Sequence, residues 1–292
     1  KVPYPATVVH AAAQLGLSRD FVHHVQKGLE LLYERRYAET RQFFTELETV
    51  FPHTAVSAVG DLLVWQAVML ENFDFRYDDQ YRAASQLARA KLSEAAKLKG
   101  NEAWEHLMLG VVAGIEAIHA ARQSRYLPAL SLAFEAIDQI EATRTLAPSF
   151  VDLDLADGLY NYWRTALTQQ AKGLPSFGDK RQQGIEEIQA VIDRGVFLAA
   201  PARLAMAFTW MEEQKHDRAR DVLLANRASY PKNIINEMML GVAFLSLKDN
   251  AAALATFDGV LAIDPKNRRV HYYRAVALLR SGRTADAIVE LK

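Results

Sequence analysis

Apolar positions along most of the chain recur every three to four residues, the period of a half-buried α-helix and not the alternation of a strand. This period predicts helices over Thr7–Gln14, 55–73, 80–98, Glu102–Gln123, Pro128–Thr145, Val151–Gln170 and Arg181–Arg194. The turn Asp74–Asp79 divides the second from the third, Pro148 stops the fifth and Gly195 ends the seventh. Ser149 with Asp152 three residues on reads as a capping box for the sixth. Ala171–Asp179, with Gly173, Pro175 and Gly178, reads as a loop. No stretch carries a convincing strand pattern, so the expected fold class is all-α.

The pattern also repeats at long range. Counting back from Pro265, Phe257 lies eight residues before it, Ala253 twelve, Gly241 twenty-four and Leu240 twenty-five. From Pro231 the same offsets hold Leu223, Ala219, Ala207 and Met206; from Pro52 they hold Phe44, Thr40, Gly28 and Lys27. Pro231 and Pro265 are 34 residues apart, and Ala275 and Ala287 begin the pattern again. A small residue lets two helices approach, an aromatic fills the space between them, and a proline stops the second helix. One such hairpin cannot bury its apolar face alone, so hairpins stack.

These residues resemble the tetratricopeptide repeat. The best unit is Ile234–Asn267, with Phe244 also on pattern; Phe21–Thr54, Ala200–Asn233 and Arg268–Lys292 follow it less closely. Departures stand at Lys27 and Thr40, and at the tryptophan position, which holds His24, Arg203, Glu237 and His271. The resemblance implies an α-α superhelix, a solenoid of about seven helical hairpins. It divides the chain into a leader and short helix over 1–20, irregular hairpins over 21–199 and regular units over 200–292. The stretches Gly158–Trp163, Gly173–Asp179 and Gly184–Ile188 also resemble long-hairpin tetratricopeptide proteins of the Iml2/TTC39 type, which implies a role in assembly or at membranes.

The family's inner groove is lined by the first helix of each unit. Carried over, its positions fall on Leu204, Phe208, Met211 and Glu212; on Ile235, Met238, Val242, Leu245 and Ser246; on Arg269, Tyr272, Val276, Leu279 and Arg280; and, near the start, on Val22, Val25, Leu29, Leu32 and Tyr33. Many are large and apolar. Either they form a groove for a peptide or amphipathic helix of another protein, with Met and Tyr as adaptable anchors, or they pack on the next repeat. Lys and Asn are missing where family members that grip a peptide carboxylate carry them. Tyr160, Tyr162 and Trp163 form an aromatic cluster, either an interface or filler where repeats of unequal length meet.

Composition narrows the function. The 292 residues carry 34 Lys plus Arg against 35 Asp plus Glu, a net charge of −1, which argues against nucleic acid as a partner. No run is long and apolar enough to span a membrane. With no cysteine, disulfides and thiol catalysis are excluded, and an exported bacterial protein, periplasmic or associated with the outer membrane, is a reading beside a cytoplasmic one. Asp152, Asp154 and Asp157 lack the spacing of a calcium loop, and Glu116 with His119 has no second Glu-x-x-His to complete a di-iron site. Nucleotide and hydrolase motifs are lacking, so no metal, cofactor or catalytic residue is expected. The short last helix, Thr284–Lys292, has apolar Ile288, Val289 and Leu291 and no capping helix after it, so the expectation is either a unit truncated from a longer array or self-association through the C-terminal edge. The alternative function is a lipid or small-molecule carrier, its apolar cavity among the middle helices near Trp104, Tyr160 and Trp163.

Overall fold

The computed structural model describes residues 3–98, 100–170 and 178–291, without the side chains of 167–170. These residues form fifteen α-helices and no strand. In chain order they are α1 (Ala6–Leu15), α2 (Arg19–Tyr33), α3 (Tyr37–Val50), α4 (Val56–Asn72), α5 (Asp78–Ala95), α6 (Glu102–Arg122), α7 (Tyr126–Leu146), α8 (Asp154–Gln170), α9 (Arg181–Arg194), α10 (Ala199–Glu212), α11 (His216–Ser229), α12 (Ile234–Ser246), α13 (Asn250–Ile263), α14 (Arg268–Arg280) and α15 (Thr284–Glu290). After α1 they fall into seven consecutive pairs. The expected loop from Ala171 lies mostly outside the described residues.

Five pairs turn in the same way. Three residues separate their helices, and the middle one takes a left-handed conformation: Arg35 (φ 67°), Ser124 (59°), Gln214 (58°), Lys248 (64°) and Gly282 (78°). The next N–H then donates to the carbonyl five residues back at 2.8–2.9 Å, as from Asp249 to Phe244 and from Arg125 to Ala120. This bond closes the helix end by satisfying a carbonyl that would otherwise be orphaned.

The prolines end the second helices in one register. α3, α7, α11 and α13 each stop two residues before Pro52, Pro148, Pro231 and Pro265. After two of these prolines an asparagine caps the next helix: Asn233 Oδ1 accepts from Asn236 N at 3.0 Å, and Asn267 Oδ1 from Val270 N at 3.1 Å.

The chain separates into two compact units. One takes residues up to Leu32, Arg36–Ala67 and Arg76–Ala199; the other takes Tyr33–Arg35, Val68–Phe75 and the chain from Ala200. In the second, α11 packs on α12, α12 on α13, α13 on α14 and α14 on α15, the succession of a helical solenoid. Its core holds Ile234, Met238, Leu245, Ala253, Phe257, Val260, Val270 and Ala277. An ideal Cβ at Gly241 would lie 2.2 Å from Phe257 Cε1, so only glycine admits the ring. The tryptophan position is recruited for polar ties: Glu237 accepts from Arg227 Nε at 2.9 Å, and His271 Nδ1 stands 2.5 Å from Glu290 Oε1.

In the first unit, Phe44 occupies the same role. A Cβ at Gly28 or at Gly60 would come within 2.5 Å of its ring. The α6–α7 pair keeps the motif in a longer form. Gly110 faces Ile140, which precedes Pro148 by eight residues as Phe257 precedes Pro265. α7 has 21 residues and α13 has 14, a difference of 21 − 14 = 7, about two turns. α8 and α9 cross backbone to backbone, since a Cβ on Gly184 would lie 2.5 Å from the Gly158 carbonyl oxygen.

The expected capping box at Ser149 is not formed. A short 3-10 turn, Val151–Leu153, precedes α8, and the Ser149 N–H donates to Gln14 Oε1 at 3.1 Å. The Asp152 carboxylate accepts instead from Val196 N (2.9 Å), Phe197 N (2.7 Å) and Leu198 N (2.7 Å). Three backbone donors outcompete one. Burial pushes this carboxyl up from its ordinary value, and the three N–H groups pull against that rise.

Candidate functional site

The carried-over groove positions divide by exposure. Met238 (3% exposed) and Leu245 (4%) lie inside the core of the second unit, packed on Phe257 and its neighbours, and present no surface to a partner. Leu204, Met211, Ile235, Val242, Arg269 and Val276 are half-buried, and Arg280 is exposed. Phe208 (53%), Tyr272 (56%) and Leu279 (56%) stand largely in solvent. The first helix of a unit therefore uses one side for the core and another for the surface, and its large apolar residues serve both.

Around Arg269 the structure brings together side chains far apart in sequence. The guanidinium lies 4.4 Å over the ring of Phe73, at the end of α4, and 5.9 Å from the ring of Tyr273. Tyr272 meets Tyr273 edge-on with centroids 5.2 Å apart, and Tyr273 stacks on Phe257 at 6.2 Å. This row of rings runs from the core to the surface, with Phe73 53% exposed. Phe73 escaped the sequence reading because the pattern that mapped the groove covers only first helices of recognised units. The helix-breaking turn at Asp74 was its only local signal.

Hydrogen bonds hold the row in place. Asn267 Nδ2 donates to the Glu71 carbonyl at 3.1 Å, and Arg35 Nε to Glu71 Oε1 at 2.7 Å. Asn233 Nδ2 donates to the Tyr33 carbonyl at 3.2 Å, with Tyr33 edge-on to Tyr230 at 5.5 Å. Each capping asparagine thus does two tasks, closing a helix and gripping a piece of the N-terminal chain. Arg280 Nη1 donates to the Leu245 carbonyl at 3.0 Å, tying α14 to the end of α12.

In the first unit the aromatic cluster is split. Tyr162 is fully buried beneath Gly184 and belongs to the core. Trp163 is half-buried and edge-on to Tyr162, while Tyr160 is 50% exposed under the Arg164 guanidinium at 5.2 Å. Trp104, 1% exposed, meets Phe21 at 5.0 Å and Phe197 at 6.2 Å, and its indole N–H donates to the Thr54 carbonyl at 2.9 Å. Two aromatic rings thus pack against this indole.

The acidic residues have structural partners. Arg144 pairs with Asp154 at 3.4 Å and also with Asp157. Glu116 accepts from Arg89, and His119 Nε2 stands 2.6 Å from Asp78 Oδ1. Burial pushes His119 down from its ordinary value against the pull of Asp78. Among the described residues, no three His, Asp or Glu side chains are grouped to hold a metal ion, and no helix is long and apolar enough to cross a membrane.

The family profile of the tetratricopeptide repeat matches residues 211–267 and 238–291. Residues 211–291 are tetratricopeptide repeats. The tetratricopeptide units are those of α11 to α15, and the row of rings lies on them and on the N-terminal segment Val68–Phe75. Among solved structures, one titled MamA AMB-1 is 21% identical over 62% of this chain and 87% of its own, with a TM-score of 0.38. A second MamA AMB-1 structure is 21% identical over 63% of this chain and 95% of its own, with the same TM-score of 0.38. A MamA point mutant is 21% identical, covers 62% and 92% of the two chains, and also has a TM-score of 0.38. No curated protein matches by sequence.

Proposed function

We propose that this chain is a non-enzymatic scaffold that binds a peptide or amphipathic helix of another protein on its tetratricopeptide unit, within a bacterial envelope assembly. The observation that carries this reading is the linked row Phe73, Arg269, Tyr273 and Tyr272, anchored on buried Phe257 and open to solvent at Phe73 and Tyr272. Rigid aromatic anchors beside an arginine are the residue types that dominate binding energy at protein interfaces. The second unit also exposes Phe208 and Leu279 and leaves Ile235, Val242 and Val276 half-buried. The lack of cysteine suits an oxidising envelope compartment.

The test is capture of a stoichiometric protein from native extract by the intact chain. Tyr272→Glu and Phe208→Glu should each abolish capture while leaving the helical signal unchanged. Leu87→Glu, an exposed change in the first unit, should leave capture intact. Capture that survives both unit-two substitutions would place binding elsewhere. A second contact belongs to the same reading: Ile288 (54%), Val289 (72%) and Leu291 (62%) offer an apolar edge for self-association, which Val289→Glu would weaken in light scattering.

A further inference from the structure

Helix α7, in the first unit, is apolar on two opposite sides. Its inner side carries Ala129 and Thr143, both buried, and Ile140, which stands against Gly110 of α6. On the other side Leu127, Leu130, Phe134 and Ile137 recur at steps of three, four and three residues, the spacing of a coiled-coil seam. A helix apolar all round is ordinarily buried. Here Tyr126 (71% exposed), Leu127 (81%), Leu130 (52%) and Phe134 (57%) stand in solvent, and residues 126–134 include no charged side chain. An exposed apolar stripe of this kind marks a surface that another protein covers.

Charge at the two ends of the stripe names the partner. Exposed Arg125 lies just before it, and exposed Asp138 and Glu141 follow Phe134 and Ile137 by four residues, on the same face of the helix. None of these three has an ion pair among the described residues. Let two copies set α7 against α7 antiparallel, about a point between Leu130 and Phe134. Leu130 then meets the partner's Phe134, and Leu127 meets the partner's Ile137. Arg125 and the positive end of its helix come beside the partner's Asp138 and the partner's Glu141. A parallel pair would instead set Arg125 against the partner's Arg125. A two-fold axis makes each favourable contact twice. At about 200 Å² for a large side chain, the exposed fractions of Tyr126, Leu127, Leu130 and Phe134 leave roughly 500 Å² open per copy. A symmetric pair can thus bury about 1,000 Å² in total, the size at which specific interfaces begin.

We propose that the outer face of α7 is a homodimer interface, in which two copies of this chain pack α7 on α7 antiparallel around Leu130 and Phe134. It shares no residue with the protein-binding rings or with the apolar C-terminal edge of the second unit.

The test is sedimentation velocity of the intact chain from low micromolar to a few hundred micromolar. The chain should pass from monomer to dimer across that range. Leu130→Glu should keep it monomeric throughout, with the helical signal unchanged because Leu130 is exposed. Val289→Glu, on the C-terminal edge, should leave the dimer intact, which separates the two surfaces. Arg125→Glu should weaken dimerisation about tenfold, since two symmetric contacts turn repulsive, and adding Asp138→Arg should restore it. Cross-linking reads the orientation. The chain has no cysteine, so Leu127→Cys and Ile137→Cys each introduce a single thiol. Mixed and oxidised, these two variants should join to each other faster than either joins to itself. A chain that stays monomeric, a dimer that survives Leu130→Glu or is lost with Val289→Glu, a charge reversal without rescue, or Leu127→Cys joining fastest to itself would each overturn the proposal.

Discussion

Replacing Gly241 by alanine tests the close approach on which the tetratricopeptide unit is built. The added Cβ would stand 2.2 Å from Phe257 Cε1, 2.5 Å from Cζ and 2.9 Å from Cδ1. The ring has little room to yield, since Phe257 is fully buried and stacked on Tyr273 at 6.2 Å. Within a helix, glycine to alanine alone favours folding by about 0.5–1 kcal/mol. Overpacking a filled core costs about 1–3 kcal/mol. The clash wins, and Gly241→Ala should lower stability by about 1–2 kcal/mol. Gly259 in α13 is the internal control, because a Cβ there meets nothing within 4 Å. Gly259→Ala should therefore gain about 0.5–1 kcal/mol, separating the two alanine variants by about 1.5–3 kcal/mol. Amide exchange in α12 and α13 reads this directly, without requiring the two units to unfold together. Adding Phe257→Leu should relieve the clash, so the double variant is less destabilised than the sum of its singles. If Gly241→Ala matches Gly259→Ala, or the double variant is simply additive, the close-approach argument is refuted.

Asp152→Ala should destabilise the first unit by about 3–5 kcal/mol, since it strands the buried backbone donors of Val196 and Phe197 and the half-buried one of Leu198; loss of amide protection there would check it. His271 supplies a pH dependence. Its Nε2 faces the Pro265 carbonyl at 2.9 Å and its Nδ1 faces Glu290, an arrangement only the doubly protonated ring can satisfy, and its pKa is raised accordingly from 6.5. A raised histidine stabilises the fold fully below its unfolded value and loses that stabilisation as pH rises through the folded one. The melting-temperature gap between the parent and His271→Ala should be widest below pH 6.5 and shrink above the folded value; a gap constant with pH would contradict this.

Sequence alone determined the helical class, the hairpin repeat and the places where second helices end. These are local properties. A proline stops its own helix, and a glycine twenty-four residues before the proline meets the aromatic residue eight before it. The offsets survive substitution as long as helix length is constant. Where the helices lengthen, as in α6 and α7, the glycine slides to Gly110 and the fixed spacing no longer finds it, although the turn and the proline keep their geometry. Only tertiary structure decided which groove positions face solvent. Met238 and Tyr272 are equally apt anchors by residue type, yet one is in the core and the other outside, because burial depends on what packs across from each helix. Only the fold placed Phe73 under Arg269, a pairing across 196 residues with no periodic signature. Asp152 shows the same limit: its local partner was legible in the sequence, and three stronger donors from a distant loop took its place.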